Sequence, residues 1–220
     1  MRCFITATYN LICNRIAGPC PPSYIDDYVP ILEEAAVEVG VKLNPARLRE
    51  LAYVLGFRTG NFLHRTLPLG WLAEQKYNFK LWGEEWRYNQ VLSAYAMGPV
   101  SHADKPKALS GAKIALGLQS MVTMHPRALE AMACGCLYLC NYLPHDYDDL
   151  GNYFIEGEDF VRFYGKEDFL RKVDYYLAHD AERVRIAENG RRKAVALSYV
   201  KLLPKWLEFI KSRIEMDDVK

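Results

Sequence analysis

Residues 124–142 run MHPRALEAMACGCLYLCNY and read as a short helix, a tight glycine turn and a buried strand. A single acid, Glu130, stands in an otherwise small and apolar helix. At 100° per residue, Arg127, Glu130, Ala131 and Cys134 share one face, and Ala128, Leu129, Met132 and Ala133 occupy the other. The second face is expected to be core. The first carries a cation and an anion beside small side chains, which let a ligand come close to the backbone. Arginine grips phosphate with a planar fork, and a carboxylate can accept from two sugar hydroxyls. That combination suits a nucleotide diphosphate. The bland alternative is a surface ion pair three residues apart on a helix, worth roughly 0.2–0.5 kcal/mol.

Outward from this stretch, strands alternate with helices. Short apolar runs at 79–82, 113–118, 137–141 and 160–164 read as strands. Residues 105–111, 126–134 and 166–179 read as helices. In the last of these Phe169, Leu170, Val173, Tyr176 and Leu177 form the core stripe. Asp180 then caps a helix expected to stop at Gly190, and a final helix reaches about Glu215. Such alternation implies a parallel sheet covered by helices on both faces. Ligands of such sheets sit beyond the carboxyl ends of the strands. Gly83, the segment from His125 to Glu130, and the segment from Asn141 to His145 all follow strands, so three pieces converge on one edge.

The first 75 residues read differently, as mainly helical. Ser23 is placed as an N-cap, with Asp26 three residues on and Gly40 ending the helix. Asn44-Pro45 opens a second helix, since Asn caps and Pro suits the first position. Residues 51–57 also admit a strand reading. Residues 61–75 form a third helical stretch, bent or interrupted by Pro68 and Gly70. The expected organisation is a helical region over 1–75 and a Rossmann-like domain over 76–220.

Composition excludes several classes. Net charge is +1 over 220 residues, without the basic stripe that a nucleic-acid partner needs. The run Arg191-Arg192-Lys193 reads as a solvated turn between helices. No stretch of eighteen apolar residues exists to span a membrane. The N-terminus lacks the small-residue cleavage site of a signal peptide, so a cytoplasmic protein is expected. The six cysteines form no C-x-x-C pair. They read as core or free thiols rather than zinc ligands.

Several residues are candidates one by one. Gly83 lets phosphate or ribose approach the backbone, or simply ends a strand. Trp82 and Trp86 flank Glu84-Glu85. Core packing is expected of Trp82, Trp86 is left open, and Glu84 is kept as a candidate acid. His125 leads into the Glu130 helix, whose N-terminus favours anions, and it could donate to a phosphate or face solvent. Asp146, Asp148 and Asp149 read as a helix-start cluster.

The chain from about Phe79 to Tyr199 resembles the donor-binding, C-terminal domain of GT-B glycosyltransferases, near the spore-maturation-type or family 1 glycosyltransferases. The resemblance rests on LWGEEW (81–86), GPV (98–100), KALSGAKIALGL (107–118), the E-A-M-A-x-G pattern from Glu130 to Gly135, and the stretch from Gly157 to Ala194. It implies a Rossmann-like fold and transfer of a sugar from a nucleotide-sugar donor. Glu130 would then hold the ribose and Arg127 the diphosphate, aided by helix N–H groups, with His125, Gly83, Ala131 and Glu84 nearby. No metal or other cofactor is implied. Related enzymes also supply a basic residue from the segment before LWGEEW, for which Arg58 and Arg65 are available. A second acid of the retaining enzymes, eight positions before the ribose acid, falls here on Val122. The acceptor domain would come from elsewhere in a longer protein or from a partner chain. The alternatives are a non-catalytic nucleotide-binding module and a protein-interaction module.

Overall fold

Leu137–Asn141 (β4) is buried at all five positions, and its alternation assigns it two cores. Leu137 and Leu139 face one hydrophobic cluster, while Tyr138 and Cys140 face the other. An uninterrupted apolar run is the signature of a parallel strand covered on both sides. The computed structural model describes residues 2–217, with side chains from 3 to 214. In it β4 lies between Ile114–Gly117 (β3) and Val161–Phe163 (β5), both parallel to it.

Helices cover both faces. On one side lie Pro126–Ala133 (α6) and the end of Asp180–Ala196 (α8), whose Ala194 joins the cluster of Tyr138 and Cys140 while Ile186 and Ala187 reach the other. On the other lie Gly165–Ala178 (α7) and the N-terminal helices, Arg2–Ala17 (α1), Tyr28–Glu38 (α2), Leu48–Leu51 (α3) and Arg58–Glu74 (α4). Phe4, Ile12, Ile16, Trp71, Phe163, Phe169 and Val173 belong to one cluster. The helical region therefore closes the sheet's second face. Lys105–Ser110 (α5) precedes β3, and Tyr199–Asp217 (α9) ends the described chain.

Several expectations change. The strand expected at 79–82 shortens to Leu81–Trp82 (β1). It pairs with Ala96–Gly98 (β2), in a parallel ribbon separate from the three-stranded sheet. Residues 52–57 are π-helical and continue into α4, which excludes the strand reading there. Helix α4 runs unbroken past Pro68 and Gly70. Asp27, not Ser23 or Asp26, organises the start of α2: its Oδ2 accepts from the Ser23 and Tyr24 amides at 2.8 and 2.7 Å. Helix α8 passes through Gly190, so Arg191–Lys193 lies within it. Arg191 pairs with Glu188 and Lys193 with the buried Asp159. In α6 the core face is Ala128, Ala131 and Met132, while Ala133 is exposed. Leu177 is more than a third exposed, so the stripe of α7 ends at Tyr176.

His64 of α4 is buried, with Nε2 2.7 Å from the Pro22 carbonyl oxygen. Burial lowers its pKa from 6.5 to about 4. The unfolded chain therefore binds one more proton than the folded one between those values. Stability is complete above about pH 6.5 and is lost as pH falls toward 4, at about 1.4 kcal/mol per unit. Denaturant midpoints should show about 2 kcal/mol lost between pH 7 and 5 from this residue. His64→Gln should lack that component, and an unchanged pH slope in the variant would contradict the assignment.

Candidate functional site

The loops beyond β3 and β4 are tied to each other before they present any side chain. The Asn141 carboxamide ends β4 and accepts from the Gln119 amide, while its Nδ2 donates to the Gln119 carbonyl, both at 2.8 Å. Thr123 is held by Asp146 through its hydroxyl and its amide. The Met124 amide donates to the Asp148 carbonyl at 2.9 Å, and the Leu150 amide to Thr123 Oγ1. Asp149 caps the turn at 150–152 and pairs with Arg162. The acidic cluster thus organises the loops, and of its three acids Asp149 alone stands at a helix start.

This frame sets the entry of α6. His125 is the N-cap, with extended backbone, and Pro126 takes the first helical position. The Arg127 amide donates to His125 Nδ1 at 3.3 Å, and the Ala128 amide to the His125 carbonyl at 2.8 Å. Pro126 has no N–H. The first amides of α6 are therefore spent locally, and an anion here meets side chains rather than the free helix N–H groups expected from sequence. Partial burial, then the Arg127 charge, lowers the His125 pKa, with Glu130 opposing. With Nδ1 accepting, the neutral ring carries its proton on Nε2.

One turn further, Glu130 does not pair with Arg127. Both carboxylate oxygens accept from Lys105 Nζ, at 3.1 and 3.0 Å. Lys105 begins α5, a position where the helix dipole disfavours a cation. That misfit was the sequence signal for a residue the motif reading missed. Arg127 forms no ion pair among the described residues and is exposed. A further cation arrives from α4. Desolvation lowers the Arg65 pKa and Arg127 lowers it further, with Glu85 opposing. The Arg65 guanidinium lies over the Trp86 ring, 5.7 Å from its centroid. Trp86 in turn lies against Gly83, whose φ is +139°.

Arg65, Lys105 and Arg127, from three helices, are thus gathered with Glu130, His125, Glu85 and Gly83 at the carboxyl edge. The other candidates go elsewhere. Glu84 is exposed and pairs with Arg87. Ala131 is buried beneath α6. His145 turns to Asp27, 3.2 Å away. Arg58 is exposed at the start of α4. Trp82, expected in the core, is exposed, and Trp86, left open by the sequence, packs on the core. Three cations, one of them holding the Glu130 carboxylate, make a site for an anion that also carries hydroxyl groups.

The family model described as glycosyl transferase-like matches residues 59–200, well over half of the chain. No curated protein matches the sequence. Among solved structures, Anabaena Alr3699/HepE, crystallised in complex with UDP, superposes with a TM-score of 0.55 at 12% identity. The match covers 86% of this chain and 67% of that one. TarM superposes with a TM-score of 0.46 at 14% identity, over 67% of this chain and 32% of its own. With its parallel sheet, covering helices and helical N-terminal region, this chain is a GT-B-type domain and belongs to the glycosyl transferase-like family.

Proposed function

We propose that this chain binds a nucleotide-sugar at the carboxyl edge of the sheet and supplies the donor-binding part of a cytoplasmic glycosyltransferase. The sugar would pass to an acceptor held by a further domain or a partner chain. The observation that carries this reading is the Glu130 carboxylate held by Lys105, one helical turn from an exposed Arg127 whose charge reaches Arg65. Glu130 accepts the ribose hydroxyls. Arg127, exposed and unpaired with Glu130, takes the diphosphate with Arg65 beside it. His125 Nε2 adds a neutral donor. No metal or other cofactor enters, because the cations are supplied by side chains. Stabilising the leaving diphosphate is then an electrostatic task for those groups.

The direct test is thermal melting with UDP, GDP, ADP, TDP and CMP. A nucleotide at a hundred times its dissociation constant adds about 2.7 kcal/mol to stability. A shift with one of them names the base, and no shift with any sinks the proposal. Val122, standing where retaining relatives carry a second acid, favours a second reading as a binding module without turnover. Donor hydrolysis or transfer by the full chain would exclude that.

Lys105 gives a finer test. In the unliganded site its ammonium holds both oxygens that the ribose needs, and once displaced it is free to face the phosphates. Lys105→Met should therefore strengthen uridine binding and weaken UDP binding, each by about tenfold, or 1.4 kcal/mol. Titration calorimetry with both ligands reads the two signs. Parallel changes would contradict the exchange.

A further inference from the structure

Helix α9 leaves the body of the protein with its apolar side uncovered. Leu203, Trp206, Leu207, Phe209, Ile210 and Ile214 are all exposed, Trp206 at 66%. Projected at 100° per residue, they fall within roughly half of the circumference. The opposite arc carries Lys201, Lys205, Glu208, Lys211 and Ser212, with Lys205 and Lys211 at its two borders. Arg213 projects among the apolar side chains and lies over the Phe209 ring at 5.2 Å. Residues 199–214 thus hold four cations against one anion, and the acids Glu215, Asp217 and Asp218 follow the apolar run rather than flank it.

We infer that α9 is a membrane-surface helix, which docks this chain on an anionic lipid bilayer. Three features choose that occupant. The apolar arc is too wide for a two-stranded coiled coil, which buries a narrow seam. Lysines border the arc, whereas protein interfaces are depleted in lysine. Large apolar and aromatic side chains below, with ammonium groups at the borders, match the depth profile of an interfacial helix. No helix among the described residues is long and apolar enough to cross a membrane, so the chain would lie on the bilayer.

The test is co-sedimentation of the full chain with vesicles of phosphatidylglycerol and phosphatidylcholine, against phosphatidylcholine alone. Binding to the anionic vesicles is expected, and it weakens as salt rises. The double variant Leu203→Glu/Ile210→Glu should abolish it. Lys205→Gln/Lys211→Gln should lower partitioning by roughly fivefold per lysine. All four positions are exposed, so circular dichroism should match the parent chain. Failure to bind anionic vesicles overturns the inference, as does undiminished binding by Leu203→Glu/Ile210→Glu. A concentration-dependent dimer that this variant dissolves, without vesicle binding, would assign the face to a second copy and overturn it too. None of these residues surrounds Glu130, so the result stands whichever way the nucleotide test falls.

Discussion

Glu130→Ala should abolish nucleotide stabilisation while leaving inorganic pyrophosphate bound. The carboxylate is proposed to take two hydroxyl hydrogen bonds, and bonds to a charged group are worth about 1.5–3 kcal/mol each. Losing them should weaken the nucleotide by a factor on the order of 100 or more, since 1.4 kcal/mol is tenfold. Pyrophosphate has no ribose, and the same substitution releases Lys105 and removes a negative charge one helical turn from Arg127. Its affinity should hold or rise. Glu130→Gln keeps one acceptor oxygen and should fall between. Calorimetry with UDP and with pyrophosphate on the three proteins separates these effects. Equal loss of both ligands would mean a collapsed site, and unchanged nucleotide affinity would remove Glu130 from the ribose.

Gly190→Ala should destabilise the fold, against the usual sign for a helix. In an open helical position, replacing Gly by Ala stabilises by about 1 kcal/mol. At Gly190, which lies inside α8, a Cβ would overlap the Asp159 carbonyl oxygen and press the Met132 sulfur at 3.2 Å. Backbone cannot yield as a side-chain tip can, and overpacking of this kind costs about 1–3 kcal/mol. For a chain of this size, the melting temperature should fall by roughly 4–8 °C for a 2 kcal/mol loss. Gly70 of α4 is the control, because a Cβ there meets nothing within 4 Å. Gly70→Ala should raise the melting temperature. A stabilised Gly190→Ala would mean that α8 can slide away from α6.

These two glycines show where sequence reading stops. Both were taken as interruptions of a helix, since composition shows what Gly permits but not what stands opposite it. By contrast β4 and α6 were legible, because continuous apolar burial, a proline at the first helical turn and Gly135 with φ +82° leave local marks. Strand β2 was not, since three residues are too short for any periodicity. At the site, Arg127, Glu130 and His125 could be named because they share one short helix. Lys105 comes from another helix, and tertiary packing alone brings it to Glu130. Trp82 was misplaced in the core for a related reason. A two-stranded ribbon outside the main sheet buries different residues from a strand within it.

The cluster that joins the first helices to the sheet has a consequence for synthesis. Trp71 meets Phe169 with ring centroids 6.0 Å apart, and α1 and α4 both touch α7. When α1 to α4 leave the ribosome they can pack on one another, but the sheet and α7 that cover the rest of their apolar faces have not been translated. Contacts so distant in sequence are slow to form, and the waiting surface is open to wrong partners. The nascent chain carries that part of the face exposed until β4, β5 and α7 emerge, and this is the interval in which a chaperone would shield the early helices.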